Sequence, residues 1–109
     1  MPSSIRVSAS AAADIEQVVD RYADLADPRI VDRFVEAIAD TFDLLARQPS
    51  VGSPRNAVDA GVSGLRTWPL ARFPYVVCYL SEASAVDVLR VLHTARDLWA
   101  VLAEGDAVG

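Results

Sequence analysis

No lysine occurs anywhere in the 109 residues; all ten basic residues are arginine, set against fifteen acids for a formal charge of −5. Phosphate affinity comes from neutralising several backbone charges at once, so an acidic chain is a poor sequence-independent binder of nucleic acid. General nucleic-acid coating is therefore excluded, although a local arginine patch is not. Cysteine is equally scarce. Cys78 is alone, so no intramolecular disulfide can form. It lies inside the apolar run Tyr75-Val76-Val77-Cys78-Tyr79-Leu80, where a buried structural thiol is expected. A nucleophilic role would need a base and an electropositive setting, and nothing nearby in sequence supplies either. One histidine and one cysteine make no recognisable ligand set, so no metal and no cofactor is expected. No stretch approaches the roughly 18 apolar residues of a membrane span. Met1-Pro2-Ser3-Ser4-Ile5-Arg6 lacks the apolar stretch of a signal peptide, so a cytoplasmic location is expected. The phosphate-loop, dinucleotide and nucleophile-elbow patterns are absent.

What is present describes a folded domain. Hydrophobic residues make up 52% and charged residues 23%, the balance of a globular chain. A chain of this size buries roughly 65% of its unfolded surface, enough for one core without staples. A single domain over residues 1–109 is expected, with 103–109 as a flexible tail. Ile5-Arg6-Val7 alternates like a short strand. Ser8 or Ser10 can cap a helix to about Ala26, with Ile15, Val18, Val19, Tyr22 and Leu25 on one stripe. Asp27-Pro28 restarts the chain as a cap and first helical proline. The second helix carries Val31, Phe34, Val35, Ile38, Phe42 and Leu45, ending before Gln48-Pro49-Ser50. A two- or three-residue joint folds the two helices into an antiparallel hairpin. Val51 to Gly64 reads as a loop. Leu65–Leu70, Tyr75–Leu80 and Val86–Leu92 then read as strands in antiparallel hairpins, with turns at residues 71–74 and 81–84. Pro69 marks an edge strand, and the nearly continuous apolar run Val86–Leu92 a central one. The layout is α+β, in the order β-α-α-β-β-β with a helical turn after Arg96.

Charge divides along the chain. Asp14 to Asp43 holds nine acids and three arginines, a local −6 that reads as a solvated outer face. Ala46 to Asp97 holds six arginines and four acids, a local +2. Arginine grips carboxylate or phosphate through a rigid fork, so Arg66, Arg72, Arg90 and Arg96 are candidate recognition residues. By strand alternation Arg90 shares a face with Val86, Val88 and Leu92, while His93 shares the other with Leu89 and Val91. A combined Arg90–His93 site would need a bulge or a strand end at Leu92. His93 is open to two roles, a hydrogen-bonded structural residue or a general acid near neutral pH. Arg96-Asp97 fits an ion pair or a partner contact, and Trp99 fits packing or an interface anchor.

One ordered series of residues resembles a known family. It comprises Ser8-x-x-Ala11-x-x-Asp14-Ile15-x-x-Val18-x-x-x-Tyr22, Leu45-x-x-x-Pro49-x-x-Gly52, Leu65-Arg66, Tyr75-x-Val77-x-Tyr79 and Val88-Leu89-Arg90-Val91-Leu92-His93-x-x-Arg96-Asp97. Over residues 5 to about 98 this is similar to the RelE/ParE toxin superfamily, and most like its ParE branch. The resemblance implies a helical hairpin packed on an antiparallel sheet and a toxin of a type II toxin–antitoxin module. A ParD-like antitoxin is the implied partner. It is expected to pack mainly through apolar side chains and to meet charge near Arg66, Arg72, Arg90 and Arg96, with His93 and Trp99 as further candidate contacts. ParE-like members inhibit DNA gyrase and RelE-like members cleave mRNA on the ribosome. Absent lysine and acidic balance fit the first better, so gyrase is the expected target and no catalytic residue is favoured. The alternatives are an endoribonuclease built on Arg66, Arg90 and His93, and an inactive or repurposed member.

Overall fold

The computed structural model describes residues 2–25 and 27–96. In chain order these form β1 (Ser4–Val7), α1 (Ala9–Ala23), α2 (Arg29–Arg47), α3 (Ala57–Ala60), β2 (Arg66–Pro69), β3 (Tyr75–Glu82) and β4 (Ala85–His93). The strands make one sheet in the order β1-β4-β3-β2. The α+β layout read from the sequence holds, with one correction. The sheet is mixed, because β1 runs parallel to β4. A helical crossover allows a parallel neighbour where a short hairpin does not.

Local chemistry accounts for both long helices. The Ser8 hydroxyl accepts the Ala11 N–H at 3.0 Å and donates to the Leu89 carbonyl at 2.8 Å. One side chain therefore caps α1 and ties it to β4. Ala11, Ile15, Val18, Val19 and Tyr22 form the stripe that α1 lays on the sheet. Before α2, the Asp27 carboxylate accepts the Arg29 N–H at 3.0 Å, while Pro28 takes the cap position and the helix begins at Arg29, one residue later than expected. The joint, residues 24–28, is longer than expected, and Leu25 falls in it half exposed. Val35 also departs from the expected stripe and is 49% exposed. It follows Phe34 by one step of about 100° and turns outward, while Thr41 takes a buried place beside Ile38 and Leu45. Tyr22, Phe34, Phe73 and Tyr75 meet edge-on or tilted at centroid distances of 5.4–6.5 Å, joining both helices to the β2–β3 hairpin.

The stretch read as loop, Val51 to Gly64, contains the helical turn α3. Its Ala57 and Ala60, with Val62, pack on Leu65, Val76, Cys78 and Leu92. The sheet thus has a second, smaller apolar layer opposite the helices, which explains why β4 is apolar on both sides. Pro69 sits on an edge strand, as expected. The β3–β4 turn is tighter than residues 81–84: both strands extend inward and leave Ala83-Ser84 between them.

Strand alternation in β4 is broken. The register passes from Cys78↔Arg90 to Tyr79↔Val88, leaving Leu89 as an extra residue. Val86 and Val88 therefore share the helix-side core with Val91, and Arg90 lies on the Cys78 and Leu92 side. This corrects the expectation that Arg90 shares a face with Val86 and Val88. The bulge precedes Arg90 and the strand runs on to His93, so Arg90 and His93 still point to opposite faces.

Candidate functional site

Arg66 is committed to the fold. One of its guanidinium N–H groups reaches the Gly52 carbonyl at 2.7 Å and the Ser50 carbonyl at 3.2 Å. Beside it the Tyr79 hydroxyl donates to the Pro49 carbonyl at 2.7 Å and accepts the Gly52 N–H at 2.9 Å. Burial raises the Tyr79 pKa above its ordinary value, against the opposing pull of the Gly52 hydrogen bond and of Arg66. A Cβ on residue 52 would lie 2.6 Å from the Tyr79 hydroxyl oxygen, so only glycine fits. Pro49, Gly52, Arg66 and Tyr79, scattered landmarks in the sequence, converge as one node fastening the loop after α2 to the sheet.

Arg90 is held by α1. Its Nε and Nη2 donate to the two carboxylate oxygens of Asp14 at 2.8 and 2.9 Å, and the Val91 N–H donates to the same carboxylate at 3.0 Å. β1 accompanies β4 only as far as Val88. Beyond that point Asp14 takes the place of the missing strand partner for Val91. Across the ladder from Arg90 lies Cys78, buried, its thiol pushed up to about 12 chiefly by desolvation. That thiol has no nucleophilic character near neutral pH.

His93 lies at the far end of the sheet. It stacks edge-on against Tyr75 at 5.3 Å, and its Nδ1 accepts the N–H groups of Ala95 and Arg96 at 3.1 and 3.2 Å. The Tyr75 hydroxyl accepts from Arg21 at 3.1 Å. Burial raises the Tyr22 hydroxyl above its ordinary value, reinforced by Tyr75 and opposed by Arg21 and Arg96. Arg66 pairs with Tyr79 and His93 with Tyr75, four residues away on β3 or about 13 Å. The structure therefore separates Arg66, Arg90 and His93 by end and by face. It gathers His93 and Arg96 at one corner, and Asp97 and Trp99 lie outside the described residues. Among the described residues no cluster could hold a metal ion, and no helix is long and apolar enough to cross a membrane.

The site that sequence reasoning missed is a trough between α2 and the β2–β3 hairpin, with a volume of about 1080 Å³. Tyr22, Leu44, Trp68 and Phe73 supply its apolar surface, with Arg33, Glu36 and Asp40 along the α2 wall and Arg72 on the hairpin wall. Of the five expected contact residues that are described, only Arg72 lines it. Arg72 is exposed and has φ 69°, a left-handed conformation that side-chain-bearing residues rarely adopt. A signal was present: Ala37, Thr41 and Leu44 continue the α2 pattern to one side of its buried stripe, toward the aromatic hairpin residues.

A family model, "ParE toxin of type II toxin-antitoxin system, parDE", matches residues 5–98. Among solved structures, the chain is similar to one titled "Chromosomal ParDE TA system from P. aeruginosa", at 25% identity and a TM-score of 0.69, over 84% of this chain and 95% of that one. No curated protein matches.

Proposed function

This chain belongs to the ParE toxin family of type II toxin–antitoxin systems, and from that premise we propose that it acts as a toxin that inhibits DNA gyrase and is neutralised by a ParD-like antitoxin. What supports gyrase over ribosomal RNA is the fate of the residues a nuclease would need. Cleavage through a 2′-hydroxyl requires a base, an acid and cations converging on one phosphate. Here Arg66 grips main-chain carbonyls, Arg90 grips Asp14, and His93 occupies another end and face. The chain also lacks lysine and carries −5, a poor match to a ribosomal docking surface. Inhibition by a bound protein needs none of this, only a complementary surface. The trough beside Arg72 is the surface that suits the antitoxin, since it combines apolar area with charge at the rim.

Two assays on the purified protein test the reading. Gyrase supercoiling should fall with toxin concentration and recover on adding the antitoxin encoded beside the gene. Programmed ribosomes should retain intact mRNA. Ribosome-dependent cuts with normal supercoiling would overturn the proposal in favour of the endoribonuclease.

A further inference from the structure

One corner of the molecule gathers hydrogen-bond donors and offers them no anion. The end of α1, the first residue of β3 and the turn after β4 meet there, bringing together Arg21, Tyr22, Tyr75 and Arg96. Arg21 Nη1 donates to the Tyr75 hydroxyl at 3.1 Å. The Tyr22 hydroxyl turns toward the same oxygen, and the charges that act on it are those of Arg21 and Arg96. His93 positions the fourth member. Its ring stacks on Tyr75 at 5.3 Å, and its Nδ1 accepts the Ala95 and Arg96 N–H groups. The Thr94 N–H donates to the Pro74 carbonyl. The turn of residues 94–96 is thereby tied to the start of β3, which keeps Arg96 beside the tyrosines.

Donors exceed acceptors at this corner. Tyr75 is 3% exposed and its oxygen accepts from Arg21, yet its own proton finds no acceptor among the described residues. A hydroxyl can donate as well as accept, so Tyr75 has a proton to spare. Burial raises the Tyr22 hydroxyl above its ordinary pKa, so Tyr22 also keeps its proton across neutral pH. Arg21 and Arg96 are exposed, and among the described residues neither forms an ion pair. Two guanidinium forks and two hydroxyls suit a ligand made of acceptors with about two negative charges. A carboxylate brings a single charge and would leave one arginine uncompensated. A phosphate monoester brings three terminal oxygens and a charge of about −1.5 to −2 near neutral pH. One such group needs only two cations, so the overall −5 does not oppose it as it opposes a long phosphate backbone. We propose that this corner binds a phosphate monoester, with Arg21 and Arg96 pairing with its oxygens and the Tyr75 hydroxyl donating to it. The site binds and does not cleave, because His93 Nδ1 is spent on two N–H groups and cannot serve as a base. It stands independently of the gyrase and antitoxin readings.

The test follows backbone amide shifts of the full chain by NMR as inorganic phosphate is added, against chloride at equal ionic strength. Saturable shifts should centre on Arg21, Tyr22, Tyr75 and Arg96, with a Kd of about 1 mM or tighter. Arg21→Gln combined with Arg96→Gln should weaken binding about tenfold or more. Tyr75→Phe keeps the ring packing and deletes only the hydroxyl, and should weaken binding about threefold. Arg55→Gln, at an exposed arginine in the loop after α2, should change nothing. Two oligonucleotides separate the sources of the phosphate. Binding of a 5′-phosphorylated strand but not its 5′-hydroxyl counterpart would assign a nucleotide end, and binding of inorganic phosphate alone would assign the free ion; either upholds the site. Equal shifts with chloride, equal binding of the 5′-hydroxyl strand, or unchanged affinity in the Arg21, Arg96 and Tyr75 variants would overturn it. Tighter binding of acetate than of phosphate would overturn it too, by assigning the corner to a protein carboxylate.

Discussion

Arg66 and Arg72 flank the same short strand, yet the molecule uses them in opposite ways. Arg66 is turned inward on main-chain carbonyls, within a node whose members leave no room to move. Arg72 stands exposed on a strained turn at the wall of an apolar trough. One end of β2 is closed on the fold and the other lies open to solvent. The same residue type, separated by a few positions, therefore carries no functional meaning until its partners are known. A guanidinium saturated by backbone oxygens builds the fold, and one without an ion partner is available for recognition.

The sharpest way to break the comparison is at the closed end. Gly52→Ala pushes a methyl group into the Tyr79 hydroxyl and to 3.0 Å from the Thr67 carbonyl. Separating the two sides also breaks the hydrogen bond between the Gly52 N–H and Tyr79. A loss of about 2–4 kcal/mol is expected, read as a lower urea midpoint at unchanged slope. A midpoint within error of the parent would mean that the node is not rigid, and the contrast with Arg72 would fail.

Arg90 extends the comparison to a second arginine of the closed kind. Asp14→Ala removes both its carboxylate partners and the acceptor of the Val91 N–H. Since Asp14 is only 12% exposed while Arg90 is 38% exposed and can still reach water, a smaller loss of about 1–3 kcal/mol is expected in the same titration. Amide exchange at Val91 should rise well above that at Val77, which stays paired within the sheet. Equal protection at both positions would remove Asp14 from its role as substitute strand.

The order and type of the long elements were legible because periodicity and capping are local. The Ser8 cap, the Asp27-Pro28 start, the proline-marked edge strand and the central apolar strand all rest on residues close together in the chain. The face of Arg90 was not legible, because the bulge at Leu89 arises from pairing with β3 and leaves no mark in β4 itself. The parallel placement of β1 likewise depends on where the crossover lands. For the candidate site, composition divided the arginine-bearing half from the acidic helices, whereas the trough draws on both, and composition could not rank the arginines. That needed the carbonyls of Ser50 and Gly52 and the carboxylate of Asp14, which come from distant segments. The trough was hidden for the same reason: Trp68, Phe73 and Leu44 become one surface only when α2 lies beside the hairpin.

A gentler probe of the closed end is alkaline pH. Burial pushes the Cys78 thiol up to about 12 and raises the Tyr79 hydroxyl above its ordinary value. Both groups therefore lose protons in the unfolded chain before they do in the folded one. Their contribution is fully present below the unfolded thiol value, about 9, and is lost as pH rises toward the folded value. By pH 10 the loss from Cys78 is about 1 kcal/mol, since one proton is worth at most about 1.4 kcal/mol per pH unit. Cys78→Val should flatten that part of the decline and leave neutral-pH stability nearly unchanged. In the folded parent, iodoacetamide should modify Cys78 only as fast as the protein opens; rapid labelling at neutral pH would contradict its burial.

The smallest effect is expected at the open end, and its sign matters more than its size. Arg72→Gly removes no ion pair among the described residues and relaxes a left-handed backbone, but it also gives the unfolded chain more freedom. The first effect favours the folded state by about 1 kcal/mol and the second opposes it by somewhat less. The toxin should therefore melt at the same temperature or a few degrees higher. The same substitution at position 66 would strip the Ser50 and Gly52 carbonyls of their donor and lower the midpoint. Opposite signs at the two positions would establish that β2 has one end committed to stability and one committed to contact. A clear loss at Arg72→Gly would show instead that this arginine also supports the fold, and the distinction between the two ends would collapse.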